Sequence, residues 1–336
     1  MLEVSVLGWA ATIAVIVALL AVDLTLGVLR PHVVGFREAA AWSIFYIAVA
    51  VAFGVVFASI SGWGYGTEYF AGYIVEKSLS VDNLFVFVII MSTFAVPERY
   101  QQEVLTFGII IALVLRVIFI ALGAALLNLF SFMFLIFGLI LLYTAVQLFR
   151  HRDEDPSIED NALVRAGRRF LPISDDYVGG KMITRIDGKR MVTPLFLVLL
   201  AIGGTDLLFA LDSIPAVFGV TEQAYIVFVA NAFALLGLRA LFFLVKGLLD
   251  RLVYLSTGLA LILAFIGVKL ALHWAHTDLS NAVPEVSTPV SLGVIIGILT
   301  VTTVASLIKS RRDPSAKAHA GSLRGSSDQQ QIGRRG

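Results

Sequence analysis

Glu76-Lys77-Ser78-Leu79-Ser80-Val81-Asp82-Asn83 sits in the middle of one apolar run, and Asp206-Leu207-Leu208-Phe209-Ala210-Leu211-Asp212-Ser213 sits in the middle of another. In each stretch two carboxylates stand six residues apart, and a small polar side chain follows the second. A charged side chain at the centre of a membrane helix costs ~2.5–3.5 kcal/mol on insertion scales, so acids in such runs mark function by default. The surrounding composition makes these runs membrane helices: 58% of residues are hydrophobic, 15% are charged, and the mean hydropathy is +0.90. The chain therefore reads as an all-α polytopic membrane protein.

Nine apolar runs are long enough to span a bilayer: 4–28, 39–60, 69–95, 104–127, 130–149, 194–220, 224–244, 252–274 and 290–308. With the N-terminus outside, all but four of the 25 Lys and Arg fall in cytoplasmic segments or the tail, so the positive-inside rule predicts an N-out, C-in protein. Trp9, Trp63 and Trp274 then lie near the outer interface and Trp42 near the inner one. No basic residue precedes the first run and Arg30 follows it, which favours a retained anchor over a cleaved signal. Asp23, near the end of that run, reads as interfacial.

The four remaining cations are Lys77, Arg116, Arg239 and Lys269. Lys269 is close enough to a span end to snorkel. Leu115-Arg116-Val117-Ile118-Phe119 matches Leu238-Arg239-Ala240-Leu241-Phe242, and further on Gly138 and Gln147 match Gly258 and Lys269. Spans three to five and six to eight thus form two three-helix repeats. Because three is odd, the repeats are inverted, an arrangement common in secondary transporters. The division is residues 1–66 for two N-terminal helices, 67–149 for the first repeat, 150–192 for a cytoplasmic linker and 193–275 for the second repeat. Residues 276–308 form the final helix and 309–336 a disordered cytoplasmic tail, rich in Ser, Gly, Gln and Arg. The linker, acidic first and then basic, reads either as a solvated connection attracted to headgroups or as a folded docking segment.

Six residues advance an ideal helix ~9 Å and turn it about 240° net, so the two acids of one span do not share a face. Each points to a different neighbour, or the helix is broken. Gly203-Gly204 and Pro215 favour breakage in the second stretch, with exposed carbonyls lining a cavity. In the first stretch Ser78, Ser80 and Asn83 offer neutral oxygen ligands. Glu76, Asp82, Asp206 and Asp212 face only Lys77, Arg116 and Arg239 as charge partners, with Arg116 and Arg239 reading as structural ion pairs. Lys77 is expected to pair with a carboxylate of the opposite repeat. Glu76, Asp82, Asn83, Asp206, Asp212 and Ser213 are the expected metal ligands. Oxygen donors without Cys select hard cations such as Mg²⁺, Ca²⁺ or Mn²⁺, and all five His lie outside the span centres.

The Glu76–Asn83 run, Thr193-Pro194-Leu195-Phe196 with Thr205 to Ala216, and Ala234-Leu235-Leu236-Gly237-Leu238-Arg239-Ala240-Leu241 resemble the TerC/Alx family of integral membrane proteins. The resemblance extends over residues 5–310, including Ser174-Asp175-Asp176-Tyr177 and Gly179-Gly180-Lys181. It implies a bacterial inner-membrane protein, linked to tellurium resistance and to manganese export, near the LysE-type transporter superfamily. Many relatives carry Glu where this chain has Gly203, so one potential ligand is missing. The expected function is export of a divalent cation, Mn²⁺ foremost, by alternating access and in exchange for protons; a non-transport partner in stress response or membrane-protein biogenesis is the alternative. No resident cofactor, enzymatic activity or nucleic-acid partner is expected, and no phosphate loop is present.

Overall fold

The computed structural model describes residue 2 and residues 4–28, 35–151, 162–174, 177, 181–186, 189–245, 252–280 and 282–313. Eleven helices are named in chain order: α1 (Val6–Val28), α2 (Phe36–Ser61), α3 (Trp63–Thr93), α4 (Glu98–Leu129), α5 (Met133–Arg150), α6 (Ala162–Phe170), α7 (Pro194–Phe218), α8 (Ala224–Leu235), α9 (Leu238–Val245), α10 (Leu255–Trp274) and α11 (Thr288–Arg312). A π-turn, Ala275–Leu279, extends α10.

Among the described residues seven helices are long and apolar enough to cross a membrane, and the bent pair α8–α9 makes an eighth. The protein is thus all-α and polytopic. α3 has the length, 31 residues, but its Glu68, Glu76, Lys77 and Asp82 leave no 18-residue window with fewer than three charges. Half of the apolar window of α7 and of α10 is buried, against 17% for α1 and α11, so the former pair is central and the latter peripheral. Apolar side chains such as Ile44, Val55, Leu139 and Val301 face outward, as expected where the solvent is lipid.

α5 and α10 pack along their lengths, and α3 lies on α8 as α4 lies on α7. Glycine makes the first contact possible. A Cβ on Gly138 would stand 2.8 Å from the Gly267 carbonyl oxygen, and one on Gly267 would stand 2.8 Å from that of Gly138. The backbones cross where neither helix carries a side chain. Gly258, matched to Gly138 by sequence, instead abuts Thr302 of α11.

α7 is continuous through Gly203, Gly204 and Pro215, which corrects the expected break. The interruption lies between α8 and α9, whose axes meet at 44°. Leu236 is extended and Gly237 takes φ +74°. Tyr46 fills the space where a Gly237 side chain would stand, its Cδ2 only 2.5 Å from an ideal Cβ.

The described part of the linker is folded. β1 (Ile183–Ile186) and β2 (Lys189–Val192) pair antiparallel, with Ile183 opposite Val192. α6 packs on α7, the Tyr177 hydroxyl donates to Phe94 O at 2.6 Å, and Thr193 donates to Lys181 O at 2.7 Å. Asp175, Asp176, Gly179 and Gly180 lie outside the described residues. The tail expected to be disordered from Lys309 is helical through Arg312, and residues 314–336 also lie outside.

Candidate functional site

The centre of the site is Arg116 of α4, fully buried between acids from α3 and α7. Its Nη1 donates to Glu76 Oε1 and, at 3.2 Å, to Asn231 Oδ1 of α8. Nη2 stands 3.7 Å from Asp206 Oδ1. Asn231 Nδ2 donates to the second Glu76 oxygen at 3.0 Å, and the Ser80 hydroxyl donates weakly to the first at 3.4 Å. With its amide turned so that Nδ2 donates to Leu79 O (3.0 Å), Asn83 accepts from Arg116 Nη2 (3.3 Å). Four helices therefore converge on one guanidinium.

The balance is uneven. Glu76 and Asp206 bring two negative charges against one positive, and among the described residues Asp206 Oδ2 is buried without a hydrogen-bond partner, as is Ser213 Oγ, next in sequence to Asp212. A buried carboxylate oxygen with nothing to accept from is costly unless a proton or cation reaches it. The site can take one more positive charge.

The remaining predicted residues go elsewhere. Asp212, on another face of α7, accepts from Thr144 of α5 at 2.8 Å. Asp82 lies in α3, and its side chain falls outside those described. Of the expected ligands Glu76, Asn83 and Asp206 meet at Arg116, and among the described residues no three His, Cys, Asp or Glu side chains form a group that could hold a metal ion. Lys77 meets no acid among the described residues. Its Nζ donates to the carbonyls of Ala234 (3.0 Å) and Leu236 (3.5 Å), at the end of α8. Arg239, expected beside the acids, pairs instead with Asp23 of α1, Nη2 to Oδ1 at 3.1 Å, and Tyr46 donates to the same oxygen at 3.2 Å. The kink at Gly237 swings Arg239 towards α1 and α2. Asp23 is accordingly buried, where the sequence placed it at an interface.

Asn231 lies outside both acidic stretches, and its signal in the sequence is that of a lone amide in the apolar helix Ala224–Leu235, a kind of group that holds helices together in lipid. A second polar cluster is likewise not marked by any sequence motif. A cavity of about 490 Å³ opens beside the α7–α8 turn, lined among others by Glu68, Glu222, Lys269, His273 and Glu285. His273 faces a carboxylate with each ring nitrogen: Nε2 is 3.1 Å from Glu222 and Nδ1 is 2.7 Å from Glu285. Both nitrogens must carry protons for both bonds to form. The bond from His273 holds the Glu222 carboxyl below its ordinary value, against partial burial. Lys269, expected to snorkel, lines this cavity.

Residues 61–314 match the model of the integral membrane protein TerC family. The chain belongs to the TerC family. It is 48% identical over 331 residues to an uncharacterized membrane protein of Mycobacterium tuberculosis, covering 94% of this chain and 82% of that one. It is 42% identical to the chloroplastic thylakoid membrane protein TERC of Arabidopsis thaliana, over 80% of this chain and 68% of the relative. It is 36% identical to a Salmonella typhi protein provisionally named as the membrane-bound redox modulator Alx, over 92% and 97% respectively. No solved structure matches the chain. The matched region holds α3 to α11 and with them the whole Arg116 cluster.

Proposed function

We propose that this TerC-family protein is a secondary transporter that exports a hard divalent cation, with Mn²⁺ as the foremost cargo, across the bacterial inner membrane. The observation that carries this reading is the buried Oδ2 of Asp206, without a partner among the described residues, beside a site where two acids share one guanidinium. Arg116 is the internal counter-ion of Glu76 and Asp206, and loading exchanges its guanidinium for the dication. A dication between the two acids is matched in charge, and carboxylate, hydroxyl and amide oxygens suit Mn²⁺, Mg²⁺ or Ca²⁺. Proton exchange follows naturally, since the same carboxylates can be neutralised by protons on the return step. No catalytic role is assigned.

In this reading α3 is the ninth span, N-out and C-in, and α3–α5 and α7–α10 are inverted repeats. The packing of α3 on α8 and α4 on α7, with the reciprocal Gly138–Gly267 crossing, supports a two-fold relation between them. The cavity beside Glu222 and His273 then opens to the extracytoplasmic side. A reporter at Asp278 should read extracytoplasmic and one at Ser174 cytoplasmic.

The decisive test is metal flux into proteoliposomes, comparing Mn²⁺, Ca²⁺, Mg²⁺ and Zn²⁺ with and without a pH gradient. Saturable Mn²⁺ flux is expected, abolished in Asp206→Asn. No saturable flux of any ion would move the function to the second reading, a non-transport membrane partner, which the name of the Salmonella typhi relative favours.

A further inference from the structure

The break between α8 and α9 leaves the last carbonyls of α8 without intrahelical donors, and the negative end of that helix lies inside the bundle. Such ends coordinate small cations in transporters with discontinuous helices. Here the oxygens of Ala234 and Leu236 are already met by a cation, the ammonium of Lys77, which arrives from α3. Leu236 N still bonds Ala232 O at 3.1 Å and Leu241 N bonds Gly237 O at 2.9 Å, so the two helices are intact up to the break and the exposed oxygens are held in place. Tyr46 packed on Gly237 fixes the break itself.

Lys77 is most simply explained by what it touches. It contacts no carboxylate among the described residues, although Glu76 precedes it in sequence, because adjacent residues diverge by about 100° around a helix. A charged amine carried into a membrane interior only to cap two carbonyls would be a costly cap. A charge is needed there if the carbonyl end of α8 is itself a cation site.

We propose that the C-terminal end of α8 is a site for a small monovalent cation, built from the Ala234 and Leu236 carbonyls, and that Lys77 occupies it as a tethered ammonium. The chain thereby carries its own counter-ion and is independent of Na⁺ at this position. Removing the ammonium should convert the same oxygens into a site for a diffusible cation, Na⁺ or methylammonium, whereas choline is too large to enter.

The test is thermal unfolding of the full chain in detergent at matched ionic strength in choline, sodium or methylammonium chloride. Wild type should give the same midpoint in all three. Lys77→Ala should unfold at lower temperature in choline and regain stability saturably with Na⁺ or methylammonium. Lys77→Met, whose side chain fills the space without charge, should be destabilised equally in all three salts. If Lys77→Ala folds too poorly to purify in choline, its recovery from membranes replaces the midpoint, and recovery only with Na⁺ or methylammonium supports the site. An equal midpoint or equal recovery of Lys77→Ala in the three salts, or a Na⁺ response of wild type as large as the variant's, overturns it. None of these readouts involves metal flux, so the outcome stands apart from that of the transport assay.

Discussion

Arg116 offers the sharpest quantitative test, because its partners differ in how closely they hold it. Arg116→Met removes a fully buried guanidinium and leaves Glu76 and Asp206 as unpaired acids. Breaking a buried pair in this way costs ~3–5 kcal/mol, because a charge stays behind without compensation. Glu76→Gln is milder: the amide keeps an acceptor for Asn231, and Arg116 keeps Asp206 at 3.7 Å, so the loss should be ~1–3 kcal/mol, that of a buried hydrogen bond to a charged group. The double variant has no stranded charge at residue 76. Its loss should therefore fall short of the sum of the two singles by a coupling of ~0.5–3 kcal/mol, the range for residues in one network.

The parallel cycle with Asp206→Asn supplies the comparison. A pair separated by 3.7 Å attracts by about 4 kcal/mol at an effective dielectric near 20, before desolvation is subtracted. Glu76 is in direct contact with Nη1, so its coupling should be the larger of the two. Unfolding free energies in mixed micelles, from titration with SDS followed by circular dichroism, give all the required values. Additivity within ~0.5 kcal/mol in the Glu76 cycle would show that the two side chains do not act as one unit, and would refute the reasoning.

Gly138→Ala and Gly267→Ala should each lower stability by ~1–3 kcal/mol, as overpacking does, since each Cβ would meet backbone at 2.8 Å, whereas Gly203→Ala, 3.5 Å from Ile111 Cγ2, should be tolerated; the same micelle titration checks all three. Glu76→Gln and Asp206→Asn should abolish Mn²⁺ flux while leaving membrane insertion intact, because an amide keeps the shape but not the charge that offsets dehydration of a dication; wild-type Mn²⁺ affinity in either variant would remove these acids from the path. The depressed Glu222 carboxyl adds stability to the α7–α8 turn above its ordinary value of 4.5 and loses it as pH falls through the lower folded value. Hydrogen exchange at 219–223 should therefore quicken on acidification below that ordinary value, and Glu222→Gln should remove the step.

What could be read from the sequence and what could not divide along a physical line. A run of apolar letters reports that a helix is in lipid, and an acid inside it reports that something must offset its charge, so Glu76, Asp206 and Arg116 were legible as members of a buried site. Which acid meets which cation depends on the rotation of each helix about its own axis, and apolar letters on every side leave that rotation free. Arg116 and Arg239 therefore look equivalent in sequence, yet one turns to α3 and α7 and the other to Asp23 on α1. The position of the break follows similar logic. Two glycines and a proline suggested α7, and each glycine does cost ~1 kcal/mol of helix propensity. In lipid, however, an unmade backbone hydrogen bond costs several kcal/mol, so a helix stays closed unless other groups receive what it releases. A charged side chain is one group that can receive such carbonyls. At Gly237 Lys77 does so from one side, while Tyr46 occupies the room of a side chain on the other. The break therefore stands where its released oxygens have a cation to meet.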